Sequence, residues 1–459
     1  MLFSKMRWMV LLLGYLGFLG FPGLGGKAAV GQQPSLTLRQ AIDRALGRNP
    51  EIAAAHADSQ SASAGVSLAH TGLFPVLNFT EDISRGNDPV YVFGTRLRQQ
   101  QFTTGDFALN SLNKPTPIGD FVTRFNGSWR IFDWFETEQQ MKGAKLAAGS
   151  ASAVSDAVEQ ATVLRVVEAY QAILFAQRRI DLAQKEQTTA QALLADAKAN
   201  VRAGLAVDSD TLAAQVNLSE REQELIAAQG EMEIAWARLE AAMGSEMPVR
   251  PVLMPIEAKS FPDGALSDEM ASALKMRPDL RALEEQRLAR SAAAKAAKDD
   301  FGPKVSAYGN WEMDRTSFAG AGGNNWVAGV QLTMDILPLG KRARLAQEEA
   351  ARQKVTAQEQ TDEDQIRLAV RSAYSQHQTA ERIVKTAEAS MQQATESLRI
   401  MQNRYKAGLS TMTDLLRAED AQRSSQNDYW RAVYGNTVAY AELLYATGAL
   451  TPDSAESLQ

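Results

Sequence analysis

Residues 202–212 read RAGLAVDSDTL and residues 406–416 read KAGLSTMTDLL, and this repeated stretch decides the fold. Gly204 and Gly408 follow long stretches rich in helix-forming residues, so each glycine is expected to end one helix and open a turn into the next. The offset of 204 residues also aligns Gly244 with Gly448. The chain is therefore predicted to contain two copies of one helical hairpin.

The duplication extends towards the amino terminus of each copy. Residues 36–55, LTLRQAIDRALGRNPEIAAA, align with residues 264–283, GALSDEMASALKMRPDLRAL, which places Pro50 against Pro278. Farther along, Asp133 aligns with Asp335, and the first copy carries about 26 more residues than the second before this aspartate. The chain is predicted to be a tandem duplication with one enlarged loop.

Each copy is predicted to contain three helical stretches in the same order. The first opens at a sequence typical of a capping box, Thr37 to Gln40, and runs about 37 residues to Gly72, while its counterpart runs from about Leu266 to Asp300. The long helices are predicted at about 136–203 and 341–407, and the helices after them end at Met243 and Ala446. At 1.5 Å per residue the long helices reach roughly 100 Å. These lengths indicate a coiled-coil rod rather than a globule.

Strands are predicted between the first and second helices of each copy. In FVTRFNGSWRIFDW, residues 121–134, apolar and small residues alternate with polar ones, and residues 305–314 and 326–335 repeat this period of two. A less regular strand is predicted near Leu77 to Ile83. Strands of about ten residues suit a tilted crossing of a bilayer. Four strands cannot close a barrel, which needs about eight, so several chains must contribute; the alternative is a soluble four-stranded sheet.

The composition excludes several classes of function. The chain has no cysteine, 48 basic and 54 acidic residues and a net charge of −6, so disulfide scaffolds, thiol catalysis and nucleic-acid binding are not expected. None of the three histidines has a partner at metal-ligand spacing, and no nucleophile stands beside a base. We expect no cofactor, no metal site and no enzymatic activity.

The remaining segments set the boundaries of the chain's parts. Lys5 and Arg7 precede an apolar run that is too short to span a membrane as a helix, so residues 1–31 are predicted to be a secretory signal peptide; a membrane anchor is the alternative. Residues 32–247 form the first repeat, 248–264 a proline-rich extended connector, 265–450 the second repeat and 451–459 a carboxy-terminal tail.

The order of these features resembles the TolC-like outer-membrane efflux channels. The resemblance rests on the openings ALGRNPEIAAA and ALKMRPDLRAL and on the RAGL and KAGL turns, each followed by an aspartate six residues after the glycine. It implies a fold that is mainly α, with long antiparallel helices in an α-barrel and four strands per chain in a trimeric 12-stranded β-barrel. It also implies a homotrimer in outer-membrane lipid that docks on a periplasmic adaptor protein joined to an inner-membrane transporter of the RND, ABC or MFS type.

The resemblance implies roles for individual residues. The helix-turn tips that meet the adaptor would be Arg202, Ala203, Gly204 and Leu205 in the first copy and Lys406, Ala407, Gly408 and Leu409 in the second; the same residues also serve as ordinary helix ends. Asp414 matches the position that lines the periplasmic aperture. A second acidic position of the family is here Arg417, so the alternative is a pair between Asp414 and Arg417 on one helix face. Asp210 is expected in polar contacts between helices.

Two features lie outside the matching motifs. Trp129, Trp311 and Trp326 are predicted to form an aromatic girdle at the lipid interface or, alternatively, to pack inside the protein. The enlarged loop, residues 84–120, is expected outside the cell as a passive loop, a lid or a binding surface. The sequence thus predicts the outer-membrane channel of a tripartite efflux system. A type I secretion exit duct and a soluble periplasmic coiled-coil interaction protein are the alternatives.

Overall fold

A computed structural model of the protein describes residues 35–255, 259–262 and 264–458. The predicted signal peptide lies outside the described residues. Helices dominate the described part, and they follow the same order in both copies. In the first copy they are α1 (Leu38–Arg48), α2 (Pro50–His70), α5 (Glu136–Arg202) and α6 (Asp208–Met243), and in the second copy α7 (Leu266–Met276), α8 (Pro278–Asp299), α9 (Leu339–Lys406) and α10 (Met412–Ala446).

The first helix of each copy is divided in two, and the prediction of a single helix there was wrong. Asn49 lies in extended backbone, with φ −66° and ψ 125°, and Arg277 has nearly the same angles. The reason is the proline that follows, because a residue before proline is excluded from the helical region while proline itself suits the first helical position. Asn49 also caps α2, since its side-chain oxygen accepts from the Glu51 amide at 2.8 Å.

The strands form one antiparallel four-stranded sheet. In chain order they are β2 (Val76–Gly86), β3 (Ile118–Phe132), β5 (Lys304–Arg315) and β6 (Gly322–Thr333), and they lie side by side in this order. β2 and β3 pair without interruption from Val76 opposite Ser128 to Gly86 opposite Ile118. Within the described residues, β2 and β6 each have one neighbouring strand, so the sheet has two open edges.

The insertion between β2 and β3 is more ordered than a loop. It contains α3 (Pro89–Arg98), a short 3₁₀ turn at 104–107 and α4 (Leu109–Asn113). Asp88 caps α3 by accepting from the Tyr91 amide at 2.9 Å, and Pro89 occupies its first position. Both residues favour the start of a helix at this point of the insertion.

The connector between the copies is held to the start of the chain. β1 (Ser35–Leu36) pairs in parallel with β4 (Val252–Leu253), a strand within the segment predicted to be merely extended. The hydroxyl of the buried Tyr170 donates to the Leu36 carbonyl at 2.9 Å and accepts from the Met254 amide at 3.0 Å. One side chain of the long helix α5 thereby fixes both strands.

The largest core surrounds this junction. Side chains from α1, the middle of α5 and the end of α6 pack there with α11 (Pro452–Glu456), a short helix in the predicted tail. The buried members include Leu36, Ile42, Val166, Tyr170, Leu239 and Leu458. In the described part of the chain, no helix is both long and apolar enough to cross a membrane.

Candidate functional site

The two long hairpins end in the same turn. α5 ends at Arg202 and α9 at Lys406, and the glycine two residues after each helix end has a positive φ, 72° at Gly204 and 73° at Gly408. Each turn is closed by an amide that reaches back five residues, from Leu205 to the Asn200 carbonyl and from Leu409 to the Arg404 carbonyl, both at 2.8 Å. Glycine is favoured because a side chain strains the left-handed conformation.

Both turns present an apolar side chain to solvent. Leu205 is 79% exposed and Leu409 is 69% exposed. Arg202, Ala203, Lys406 and Ala407 surround these leucines and are themselves exposed. The predicted tip residues therefore form two small surfaces, each with an exposed leucine beside a basic residue.

Asp414 belongs to the start of α10. Its carboxylate accepts from the Thr411 hydroxyl at 2.7 Å and from the Thr411 amide at 3.2 Å, while its own amide donates to the Thr411 hydroxyl. These hydrogen bonds lower the pKa of Asp414, and the charges of Arg417 and Arg404 add to the effect. Arg417 is exposed one turn farther along. Asp414 is thus a fixed, ionised carboxylate beside the hairpin end.

Asp210, the first-copy equivalent, lies near the long helix of the second copy. Burial raises the pKa of the Tyr405 phenol on α9, and the charges of Asp210 and Asp196 raise it further. Asp210 therefore lies near Tyr405, one turn before the other hairpin end. The predicted contact between helices remains a prediction, but this proximity makes Tyr405 its candidate partner.

A buried ionic cluster joins the copies and was not foreseen. Arg221 on α6 is 6% exposed and contacts Glu224 at 3.0 Å and Asp420 on α10 at 3.2 Å. Arg423 on α10 contacts the same two carboxylates, at 2.8 Å and 3.3 Å. Glu186 on α5 completes the cluster, 3.7 Å from Arg221, and burial raises its pKa to about 7 despite the two guanidinium groups.

A sequence signal for this cluster existed. Ala214, Arg221, Ala228 and Ala235 are spaced by seven residues on α6, and all four are buried. A spacing of seven marks the seam of a coiled coil. A charged residue at such a position is costly unless it is paired. The spacing therefore pointed to an ionic partner on a neighbouring helix.

The two faces of the sheet differ in chemistry. On one face, Arg124 on β3 pairs with Asp82 on β2 at 3.3 Å and with Glu312 on β5 at 3.2 Å. The other face is apolar and largely exposed over most of its length, including Leu77, Phe79, Trp326, Val330 and Leu332, and towards the end away from the long helices it carries an ion pair between Arg315 and Glu81 at 2.8 Å. Such an exposed apolar face requires a lipid or apolar partner.

The predicted girdle tryptophans share this apolar face but lie at two levels. Trp311 pairs directly with Trp326, and Phe125 packs against Trp311 with ring centroids 5.7 Å apart. Trp129 pairs instead with Ala307, four residues from Trp311, and its indole donates to the Leu73 carbonyl at 2.9 Å. Trp326 is 77% exposed. The girdle role remains a prediction.

The described residues contain no group of three or more histidine, aspartate or glutamate side chains arranged to hold a metal ion.

Comparisons with known proteins cover nearly the whole described chain. The sequence profile of the family described as "Outer membrane efflux protein" matches residues 41–245 and 270–449. The chain is 22% identical to the alkaline protease secretion protein AprF of Pseudomonas aeruginosa, over 91% of this chain and 85% of AprF. It is 24% identical to the outer membrane efflux protein BepC of Brucella suis, over 94% and 89% of the two chains.

Solved structures agree with these matches. The CmeC outer membrane channel of Campylobacter jejuni superposes with a TM-score of 0.78 at 17% identity, covering 91% of this chain and 88% of CmeC. The predicted fold class is confirmed: a mainly helical channel fold with long antiparallel helices and four strands as this chain's share of a β-barrel.

Proposed function

This chain belongs to the outer membrane efflux protein family, and on that premise we propose that it is the passive conduit of a tripartite efflux system. It is a protein of the outer membrane that extends into the periplasm. The family and the fold are those of channel proteins. We propose no catalytic role, since transport through a conduit requires no chemistry from its wall.

The observation that carries the proposal is the two-sided sheet. Its apolar face is exposed, its polar face carries the Asp82–Arg124–Glu312 ladder, and both of its edges are open. An open edge is not stable in lipid, because its amides and carbonyls find no partner there. Pairing β6 of one chain with β2 of the next satisfies both edges, puts the apolar face against lipid and encloses the polar face.

We propose that three copies close this ring. Four strands from each give twelve, which exceeds the roughly eight strands that a barrel needs. The long helices then extend from the ring by roughly 100 Å, so the assembly reaches far into the periplasm. A homotrimer is the arrangement that we propose.

The hairpin ends are proposed to meet a periplasmic adaptor, which would connect the channel to an inner-membrane transporter of the RND, ABC or MFS type. The exposed Leu205 and Leu409 support this role, because apolar side chains at the tips of charged helices offer burial to a partner. The chain has no cysteine, so single cysteines at these positions react alone. Labelled with a maleimide that carries a photoreactive group, Leu205→Cys and Leu409→Cys should cross-link on illumination to an adaptor identified by mass spectrometry, and Leu68→Cys, exposed near the sheet, should not.

Asp414 is proposed to line the periplasmic aperture. Three ionised carboxylates around a narrow opening attract cations and exclude anions. The lowered pKa of Asp414 supports this role, because it keeps the carboxylate charged. Arg417, one turn farther on, is proposed to stand near the same opening.

Conductance of the detergent-purified protein in a planar bilayer tests the channel. We expect a trimeric mass and discrete conductance steps, with cation selectivity reduced by Asp414→Asn and unchanged by the matched control Asp428→Asn on the same helix. A monomer that stays soluble without detergent and gives no steps would instead favour a periplasmic coiled-coil interaction protein.

A type I secretion exit duct is the second candidate. The similarity to AprF, which is described as an alkaline protease secretion protein, favours it. The adaptor recovered in the cross-linking experiment separates the two candidates, because its transporter is either a drug or ion pump or a polypeptide exporter.

A further inference from the structure

The inserted helix α3 lies across the polar face of the sheet, at the end away from the long helices. The Tyr91 hydroxyl is 2.8 Å from the Ser84 hydroxyl on β2. The Gln99 amide nitrogen donates to the Asp120 carboxylate on β3 at 2.9 Å and lies 3.2 Å from the Arg315 carbonyl at the end of β5. α3 thus contacts three neighbouring strands.

The fourth strand, β6, is contacted as well. The Asn325 side chain donates to the Arg98 carbonyl at 3.4 Å. At Gly323, a Cβ atom would overlap that carbonyl oxygen, so only glycine lets the end of α3 approach so closely. α3 therefore spans the full width of the sheet.

These strand residues identify the face that α3 covers. Ser84 pairs with Asp120, and Asn325 pairs with Glu312, which belongs to the polar ladder with Arg124. Side chains two residues apart on a strand share a face, so Asp120 and Arg124 both point to the polar side. In the barrel of the proposed function this side is the lumen, and α3 lies inside its outer mouth.

The packing under α3 is tight. Val92 and Thr95 on the helix and Gln99 directly after it are buried, and so are Asp120 and Asp314 on the strands beneath. Behind the helix, the rings of Phe93 and Phe102 lie 4.8 Å apart and those of Phe102 and Phe107 lie 5.1 Å apart. An ion pair between Arg96 and Asp106 ties the rest of the insertion to α3. The segment is a fixed part of the mouth.

The face of α3 that points away from the sheet is apolar and unoccupied. Val90 is 80% exposed, Leu97 is 49% exposed, and the space above Gly94 is open. Spacings of four and three residues place them in one stripe along the helix. An apolar stripe inside a polar lumen needs an apolar partner.

The size of the mouth indicates what that partner is. Twelve strands about 4.8 Å apart and tilted by about 40° enclose a lumen roughly 24 Å across between backbones. Three helices each about 10 Å wide occupy most of that width. The copies of α3 from the other two protomers are therefore the nearest surfaces that can cover the stripe.

We propose that three copies of α3 meet on the threefold axis and form an apolar constriction at the extracellular exit, lined by Val90, Gly94 and Leu97. This inference rests on the trimeric channel of the proposed function. An apolar constriction readily loses its water, so it blocks the passage of hydrated ions. Amphiphilic organic solutes pass through it more easily. The exit then contributes to selectivity in addition to the periplasmic aperture.

Cross-linking tests whether the helices meet. In the full chain, which has no other cysteine, Leu97→Cys should give covalent dimers on oxidation or with a short bismaleimide, because one cysteine per protomer can link two protomers of the three and a disulfide requires Cα atoms within about 7 Å. Val330→Cys, exposed on the apolar face of β6, is the control and should remain monomeric on denaturing gels. A protein of trimeric mass whose Leu97→Cys variant does not cross-link would overturn the proposal and leave the channel intact.

Conductance tests the constriction. Because Gly86 pairs with Ile118, replacing residues 87–117 by Asn-Gly closes the β2–β3 hairpin with a two-residue turn. We expect this variant to form trimers and to conduct ions at least about twofold better than wild type, since the apolar segment of the path is removed. Unchanged conductance of the trimeric variant would refute an exit constriction, whereas loss of trimers and of steps in the wild type would refute the proposed function itself.

Discussion

Gly244 ends α6 with a positive φ of 65° and lies directly against the break between α1 and α2. A Cβ atom there would stand 2.7 Å from the Asn49 Cα and 2.8 Å from the Arg48 carbonyl oxygen. Both neighbours are backbone atoms and cannot rotate away. We therefore predict that Gly244→Ala strains the chain in two ways, through its left-handed conformation and through overlap.

The matched control is Gly204→Ala at the hairpin end. Gly204 has a similar φ of 72°, but nothing lies within 4 Å of its Cβ position. The left-handed conformation costs an alanine about 1–2 kcal/mol, and overpacking costs about 1–3 kcal/mol more. Gly244→Ala should thus lower the free energy of unfolding by about 2–5 kcal/mol, and Gly204→Ala by about 1–2 kcal/mol.

Denaturant unfolding followed by circular dichroism, in the same detergent for all variants, measures this difference. The second copy offers a repeat, because a Cβ atom at Gly448 would stand 2.9 Å from the Arg277 backbone nitrogen, whereas nothing lies within 4 Å of the Cβ position at Gly408. Equal losses of stability for Gly244→Ala and Gly204→Ala would show that backbone conformation alone matters and would refute the close approach between α6 and the α1–α2 break.

Three further substitutions probe buried polar groups. Arg221→Ala should lower the free energy of unfolding by about 1–3 kcal/mol because it takes a buried guanidinium from the largely buried Glu186 and from the partly exposed Glu224 and Asp420, whereas Arg399→Ala, at a 63% exposed surface pair, should cost less than about 1 kcal/mol in the same denaturant titration. Burial raises the pKa of Glu186 from its ordinary value of 4.5 to about 7 in the folded protein, so the folded state loses stability as the pH rises from 4.5 to about 7. The free energy of unfolding of Glu186→Gln should therefore exceed that of wild type by up to about 3 kcal/mol above pH 7 and by nothing near pH 4.5. A difference that does not depend on pH would contradict this. Tyr170→Phe removes a buried hydroxyl that bonds both short strands and should lower the free energy of unfolding by about 1–3 kcal/mol, measured by thermal unfolding; an unchanged stability would contradict a structural role for this hydroxyl.

Local chemistry explains which parts of the fold the sequence predicts. Gly204 and Gly408 identify the hairpin ends, because a glycine after a long helical run is an efficient helix stop. The alternation of apolar and polar residues predicts the strands. It does not predict where they end, since the pairing of Gly86 with Ile118 depends on both strands at once. The break at Asn49 was missed because the helical composition continues on both sides of Pro50.

Interactions between distant parts of the chain explain what the sequence does not show. The contact of Gln99 with Arg315 joins residues 216 positions apart, and no local pattern near Gln99 announces it. The partners of Arg221 likewise lie on α10, although the heptad spacing marks its position as buried. The candidate tips and Asp414 came from resemblance, and the structure adds the capping bonds that keep this carboxylate ionised.

The duplication gives the chain two hairpin ends of the same fold, but the residues at the two ends differ. α10 begins with a capping box between Thr411 and Asp414, whereas α6 begins after Val207, whose side chain provides no cap. A side-chain cap stabilises a helix start by about 1 kcal/mol, so the second hairpin end is the better anchored of the two. Around a trimer, the six hairpin ends then alternate between a capped and an uncapped kind. An adaptor ring that docks on the proposed tips would meet two different surfaces in turn, and the uncapped ends, beside Asp210 and Tyr405, are those that can change shape at the lower cost.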